Sequence, residues 1–435
     1  MRVVYMDIIN SLGFIEKRLR KSYGLSLDNV SRDLRISKGN LSEMENGRRP
    51  FNETLFRQFL ELYKINFDFD LGLLNEIEQL LKELMEAYIY KDSETESQIA
   101  QKFFEREKKY EYSFGCLYVP LIKVFLTHNK KPAEFSIPEL NVFSEIPEYF
   151  SIYTPDEKAL FLFIKGFTAK KRGNLNTALQ EYSGALDILN GKKWPQLERI
   201  IKLNSAVALS LSTSFFSAYL IGQEAYEIFS RYGNYARALM CSNNQAAYLI
   251  YLQAYTEAQD LLSRIFVSQR SLVGFSLLKL AVSTKLWGLI MEEKFEQAIQ
   301  FSKEYPMDDE DRYVGNRSLL PYCYYRLGEL DQCLLSMAQL SQEALTSDDK
   351  AFHSILKAIL EKDKVGVEAA KQKMIRICCK QLNWAMLMIM YKLLICYYKA
   401  ENETDLLIDA YECKDKVCRH ILPVDCERSL QDSFD

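Results

Sequence analysis

Between residues 24 and 66 the apolar positions fall at helical spacing in three short runs, each opened by a capping signal. Leu27, Val30 and Leu34 form one stripe behind Ser26, Leu41 and Met44 a second behind Ser37, and LFRQFLELY follows Asn52. A Ser or Asn just ahead of such a run accepts a hydrogen bond from the first free N–H groups of a helix, so each is an expected N-cap. Arg35-Ile36 supplies the turn between the first two helices. Gly47 closes the second where a left-handed residue is favoured. The pattern predicts helix, tight turn, helix. Lys38, Gly39, Asn40, Ser42 and Glu43 are left on the outer face of the second helix beside its cap Ser37, and Arg48 and Arg49 follow in a basic loop. A helix so placed offers its N-terminal residues to base edges in the DNA major groove.

The rest of the chain carries a longer period. Ala178, Ala218, Ala258 and Ala298 stand forty residues apart. The first completes a set, Gly166, Ala169, Ala178, Tyr182 and Ala185, whose intervals match the tetratricopeptide pattern: small residues let two antiparallel helices approach, and an aromatic fills the gap. Turn phrases recur between the paired helices, RGNLNTA (172–178), LQAYTEA (252–258), MEEKFEQA (291–298) and LGELDQC (327–333). Past Ala298 the spacing shortens to 35 and then 36, through Cys333 and Ala369. Residues 71–130 are helical in pattern and read as degenerate opening repeats. Pro132, Pro138, Pro147 and Pro155 mark an irregular connection near 129–156. Strand signals are nearly absent. The expected fold is all-α: a helix-turn-helix domain over 1–66, a linker over 67–75, and a helical solenoid over 76–435.

Composition narrows the class. With 435 residues, 48% hydrophobic and 26% charged, the chain has room for two or more folded domains. Residues 1–66 hold 12 Lys/Arg against 8 Asp/Glu, a balance of +4 that leaves −8 on the remainder of a chain whose net charge is −4. A basic head on an acidic body fits phosphate binding at the head. No signal peptide and no run of eighteen apolar residues is present; the nearest, WAMLMIMYKLLICYY, is broken by Lys392. Ten scattered cysteines, two of them adjacent, do not resemble a secreted disulfide framework, and a reduced cytoplasmic setting is expected. Three histidines without triad neighbours, and no glycine-rich phosphate loop, leave no catalytic reading. Cys413, Cys418, His420 and Cys426 fit no zinc spacing well. No cofactor, metal site or enzymatic activity is expected.

Stacked helix pairs curve, and the first helix of each pair faces the concave side. Asn204 and Asn244 lie forty apart on successive first helices, flanked by apolar residues. An unpaired buried amide costs about 1–3 kcal/mol, so each needs partners: a neighbouring helix, or the backbone of a bound peptide. In the tetratricopeptide frame the inward positions also include Asn243, Ser283, Trp287, Ser318 and Tyr322, with Phe163 and Phe167 in the first regular repeat. Hydroxyls and amides beside aromatics make a peptide groove.

The head resembles the repressor-type (lambda-repressor-like) helix-turn-helix family over residues 8–66, through G-L-S at 24–26, the aliphatic-Ser pair Ile36-Ser37, and L-S-x-M-E-N-G-R-R-P at 41–50. That resemblance implies an ion pair between Arg20 and Glu45. Leu27 stands where a backbone-contacting Gln is usual, and Arg35 where the turn Gly is usual. A repressor-type head on a tetratricopeptide body resembles the RRNPP group of peptide-pheromone receptors. It implies a dimeric regulator whose DNA binding is controlled by a short imported signalling peptide, held through inner-helix Asn residues, here Asn204, Asn243 and Asn244. Base readout is expected from Lys38, Asn40 and Glu43, with Arg48 and Arg49 on phosphates. The apolar helix near 384–398 is a candidate pairing surface for the homodimer. Two other readings stand beside this one: a DNA-binding regulator whose solenoid is a protein scaffold with no peptide effector, and a two-output protein whose solenoid also sequesters a signalling enzyme.

Overall fold

The computed structural model describes residues 2–127, 143–194, 196–267, 275–305, 318–340 and 345–418. Among them the backbone is almost wholly helical; a single isolated bridge, Asp68 to Ser113, is the one strand-like pairing. The chain divides into two compact units, Met1–Ile201 and Lys202–Asp435.

The first unit opens with α1 (Arg2–Ser22), α2 (Leu27–Asp33), α3 (Lys38–Glu45) and α4 (Glu53–Leu62). All three expected caps form. Ser26 accepts from the Asn29 N–H at 3.1 Å, Ser37 from Asn40 at 3.2 Å and Asn52 from Leu55 at 2.8 Å. Arg35 takes φ 57° in the turn and Gly47 takes φ 69° after α3. Val30, Leu34 and Leu41 are buried, whereas Leu27 and Met44 are half-buried. Next come α5 (Leu71–Tyr90), α6 (Ser93–Glu111), a 3-10 turn (Phe114–Leu117), α7 (Val119–Leu126), a second 3-10 turn (Ile146–Tyr149), α8 (Pro155–Lys171) and α9 (Leu175–Ile188). The segment joining head to body is packed: the rings of Phe67 and Phe69 meet Phe56 of α4 and Phe114 edge-on, with centroids 5.2–6.2 Å apart. Of the irregular stretch at 129–156, residues 129–142 lie outside the described residues. In the α8–α9 pair a Cβ on Gly166 would stand 2.8 Å from the Tyr182 ring, which is why a glycine belongs there.

The second unit takes most of α10 (Leu197–Leu211) and continues through α11 (Phe215–Arg231), α12 (Tyr235–Tyr251), α13 (Tyr255–Val267), α14 (Phe275–Met291), α15 (Phe295–Glu304), α16 (Leu320–Arg326), α17 (Leu330–Gln339), α18 (Ser347–Leu360), α19 (Lys364–Gln381), α20 (Trp384–Ala400) and α21 (Thr404–Cys418). The forty-residue period is built into the backbone. Positive φ recurs at Gly173, Thr213, Gln253 and Glu293, at the end of the first helix of each pair. At each, the next N–H reaches back to close the helix, as in Ser214 to Leu209 and Ala254 to Leu249, both at 2.8 Å. Past Glu293 the same position falls at Gly328, Lys362 and Asn402. The buried small residue five positions on is Cys333 and then Val367, not the exposed Ala369 expected from the sequence, so that copy is 34 residues long.

One expectation is overturned. The apolar helix proposed as a pairing surface is α20, and nearly its whole circumference is buried within its own unit, from Trp384 through Tyr398. Cys379 is disulfide-bonded, while Cys116, Cys241, Cys323, Cys333, Cys378, Cys396 and Cys413 are free. His420 and Cys426 lie outside the described residues.

Candidate nucleic-acid interface and ligand groove

The helix-turn-helix is held by contacts that α1 makes beneath α3. A Cβ on Gly13 would meet the Met44 carbonyl oxygen at 2.0 Å, so the two helices touch backbone to backbone. Two turns on, Arg20 forks onto Glu45, Nε to Oε1 at 2.6 Å and Nη2 to Oε2 at 2.9 Å, while Nη1 bonds the Leu25 carbonyl at 2.8 Å. The ion pair expected from the family resemblance is therefore present and buried. Glu16, wholly buried, lies beside it. Its carboxyl is pushed well above the usual carboxylate range, by burial first and by the Glu45 charge second, with Arg20 opposing. A protonated Glu16 leaves one carboxylate for one guanidinium, the balance a buried site needs.

The outer face of α3 carries the expected reading residues. Ser37 is spent on its cap, and Asn40 is half-buried in the first turn. Lys38 pairs with Asp28 across the turn at 3.0 Å, and Glu43 pairs with Arg49 at 2.6 Å; all four side chains are about half exposed. Exposed pairs of this kind are worth about 0–1 kcal/mol, so both can be exchanged for other partners at little cost. Ser42 accepts the Asn46 side-chain amide on its carbonyl at 2.7 Å, and Arg48 is exposed in the loop after Gly47.

Sequence reasoning did not find the seam between α1 and the segment before α8. Arg18 pairs with Glu145, Lys17 with Glu148 at 3.0 Å, and Lys21 with Glu148 at 2.7 Å. The Phe14 ring stands edge-on to Tyr149 at 6.4 Å, and its far edge lies against Gly47 at the end of α3. Lys17 also donates to Asn46 at 3.2 Å. The nearest signal was the charge pattern, basic 17–21 and acidic 145–148, which a single sequence cannot pair.

In the second unit, Asn243 of α12 and Ser283 and Trp287 of α14 are buried on first helices of successive pairs. The Asn243 side-chain oxygen and the Trp287 indole N–H have no hydrogen-bond partner among the described residues. Trp287 touches Tyr251, whose ring stacks on Phe215 at 3.9 Å. Asn204 is buried, and Asn244 is half-buried. Ser318 and Tyr322 are committed elsewhere. Ser318 donates to Asp349 at 2.5 Å and its carbonyl meets His353, while Tyr322 is wholly buried between Phe295 and Phe352 and accepts from Arg326 at 2.8 Å. Among the described residues no group of His, Cys, Asp and Glu could hold a metal ion, and no helix is long and apolar enough to cross a membrane.

Residues 17–66 match the family model of a helix-turn-helix domain. No curated protein matches the chain in sequence. Among solved structures, the fold is similar to that of a Rap protein complexed with competence and sporulation factor (TM-score 0.61, 14% identity, covering 79% of this chain and 98% of that one). The apo form of RapI (0.57, 14%, 80% and 98%) and the Rap conjugation gene regulator of plasmid pLS20 with the Phr* peptide (0.52, 12%, 80% and 96%) are similar too. The class is thus an all-α protein with a helix-turn-helix head and a helical-repeat body whose fold is similar to that of the Rap proteins.

Proposed function

We propose that this protein is a transcription regulator that binds an operator as a cytoplasmic homodimer and changes its grip when a short peptide lies along α12 and α14. The observation that carries the peptide reading is the pair of buried, unpartnered groups, Asn243 Oδ1 and Trp287 Nε1. Each costs about 1–3 kcal/mol while unmade, and an extended peptide backbone offers both a donor and an acceptor. The proteins of similar fold, solved with competence and sporulation factor and with the Phr* peptide, support it. Asn243, Ser283 and Trp287 form the proposed contact set, with Asn204 and Asn244 on the flanks; Ser318 and Tyr322 act as its scaffold.

For DNA, Lys38, Asn40 and Glu43 read bases from α3, Ser37 and Ser42 lie beside them, and Arg48 and Arg49 meet phosphates. Two heads read half-sites about 34 Å apart or a multiple of that. Peptide acts by favouring one arrangement of the heads; a tenfold effect on operator affinity needs about 1.4 kcal/mol of coupling.

The test starts from a random duplex pool. The parent should enrich a two-fold motif that Lys38→Ala and Asn40→Ala fail to enrich. Native mass spectrometry with a pool of short synthetic peptides should then show retention by the parent and not by Asn243→Ala. Unchanged affinity for the enriched duplex with and without the retained peptide would leave the scaffold reading in its place.

A further inference from the structure

Three first helices of the second unit, α10, α12 and α14, end at Leu211, Tyr251 and Met291, forty residues apart, and one distant helix touches all three ends. The Trp384 indole N–H of α20 donates to the Leu211 carbonyl at 2.7 Å. The Ala385 backbone, in the first turn of α20, meets the Tyr251 hydroxyl. Eight residues past Trp384, the Lys392 ammonium donates to the Met291 carbonyl at 2.7 Å and to Glu293 at 2.9 Å. Eight helical residues rise about 12 Å, and the reach of the Trp and Lys side chains covers the rest of two spacings of about 8–10 Å. The carbonyls at a helix C-terminus lack intrahelical partners and carry the negative end of its dipole, so an indole N–H and an ammonium are the donors they favour.

These contacts join residues 101 and 173 apart in sequence, whereas a repeat needs only its neighbours to fold. Beneath them, Tyr251 stands between α20 and Trp287, and Asn243, Ser283 and Trp287 are at most 6% exposed. With the helices so arranged, the groups proposed to meet the ligand are out of reach.

We propose that α20 is a clasp: seated on the ends of α10, α12 and α14 it shuts the groove, and a ligand gains access to Asn243 and Trp287 only when Trp384 and Lys392 let go. This regulation rests on the ligand reading of that groove, but its test needs no ligand. Two substitutions remove a donor and keep the bulk, Trp384→Phe and Lys392→Met; Glu293→Gln weakens the second contact more gently and serves where the others do not fold.

Hydrogen exchange read by mass spectrometry should speed up about tenfold or more across 384–400 in these variants, as expected for losing one strong hydrogen bond, with α11 exchanging as in the parent. In 5-fluorotryptophan protein, the Trp287 fluorine signal, assigned by Trp287→Phe, should gain a solvent isotope shift in the same variants. Parent-like protection across 384–400 would overturn the clasp. Loss of protection there with an unchanged Trp287 signal would overturn its control of the groove. Neither result bears on whether a peptide binds, which the peptide pool tests separately.

Discussion

Replacing Gly13 by Ala sets two effects of known size against each other. In the interior of a helix the change gains about 1 kcal/mol of propensity. At this position, however, the new Cβ would lie 2.0 Å from the Met44 carbonyl oxygen and 2.7 Å from its carbon. Carbon contacts relax at roughly 3.5 Å, so α1 and α3 must part by about 1.5 Å. The obstructing atoms are backbone, and no rotamer change relieves them. Overpacking costs about 1–3 kcal/mol, and a clash with backbone belongs at the upper end, so packing wins by about 2 kcal/mol. For a unit of this size that lowers its melting temperature by about 4–8 °C in scanning calorimetry. Gly39→Ala is the control, because a Cβ there meets nothing within 4 Å and propensity acts alone. A Gly13→Ala protein that melts at or above the parent would refute the packing argument.

Arg20→Met should destabilise the first unit by about 3–5 kcal/mol, since it leaves Glu45 buried without its guanidinium; urea titration followed by circular dichroism reads the change, and a loss under 1 kcal/mol would count against burial of the pair. Glu16 has a folded pKa raised above its unfolded one, so its proton stabilises the fold fully below the usual carboxyl range and that contribution is lost as pH rises toward the folded value. Glu16→Gln should therefore flatten the fall in melting temperature as pH rises from the ordinary carboxyl value of about 4.3; an unchanged slope would assign the fall to other groups. Arg35→Gly should stabilise the head by about 1 kcal/mol, because Arg35 is exposed and pays for φ 57°; a destabilised variant would mean that its side chain holds a contact worth more than the strain.

Local chemistry was legible in the sequence and distant geometry was not. Ser26, Ser37 and Asn52 cap their helices because a cap depends on three or four consecutive residues, all visible at once. Gly166 and Tyr182 were legible through the repeat pattern, which encodes a contact between neighbours in sequence. The slip from Val367 to Ala369 arose because a buried small position was tracked by residue type, while the backbone counts five from Lys362. Arg20 and Glu45 came from family correspondence alone. Nothing in the chain announces that Glu16 joins them, since one buried carboxyl in a helix of mixed charge has no pattern of its own. The apolar run of α20 looked like a surface waiting for a partner. Its partners are the ends of three helices far back in the chain, which no periodicity can reveal.

The seam between α1 and residues 145–149 bears on how ionic strength acts on this molecule. Lys17, Arg18 and Lys21 are committed to Glu145 and Glu148, so much of the head's positive charge is neutralised by its own chain. Lys17 and Arg18 are largely buried, so added salt screens their pairs much less than it would screen the proposed phosphate contacts of the exposed Arg48 and Arg49. A salt titration of duplex binding should then count only the ions displaced by the side chains left free, so its slope falls short of what the number of basic residues in the head suggests.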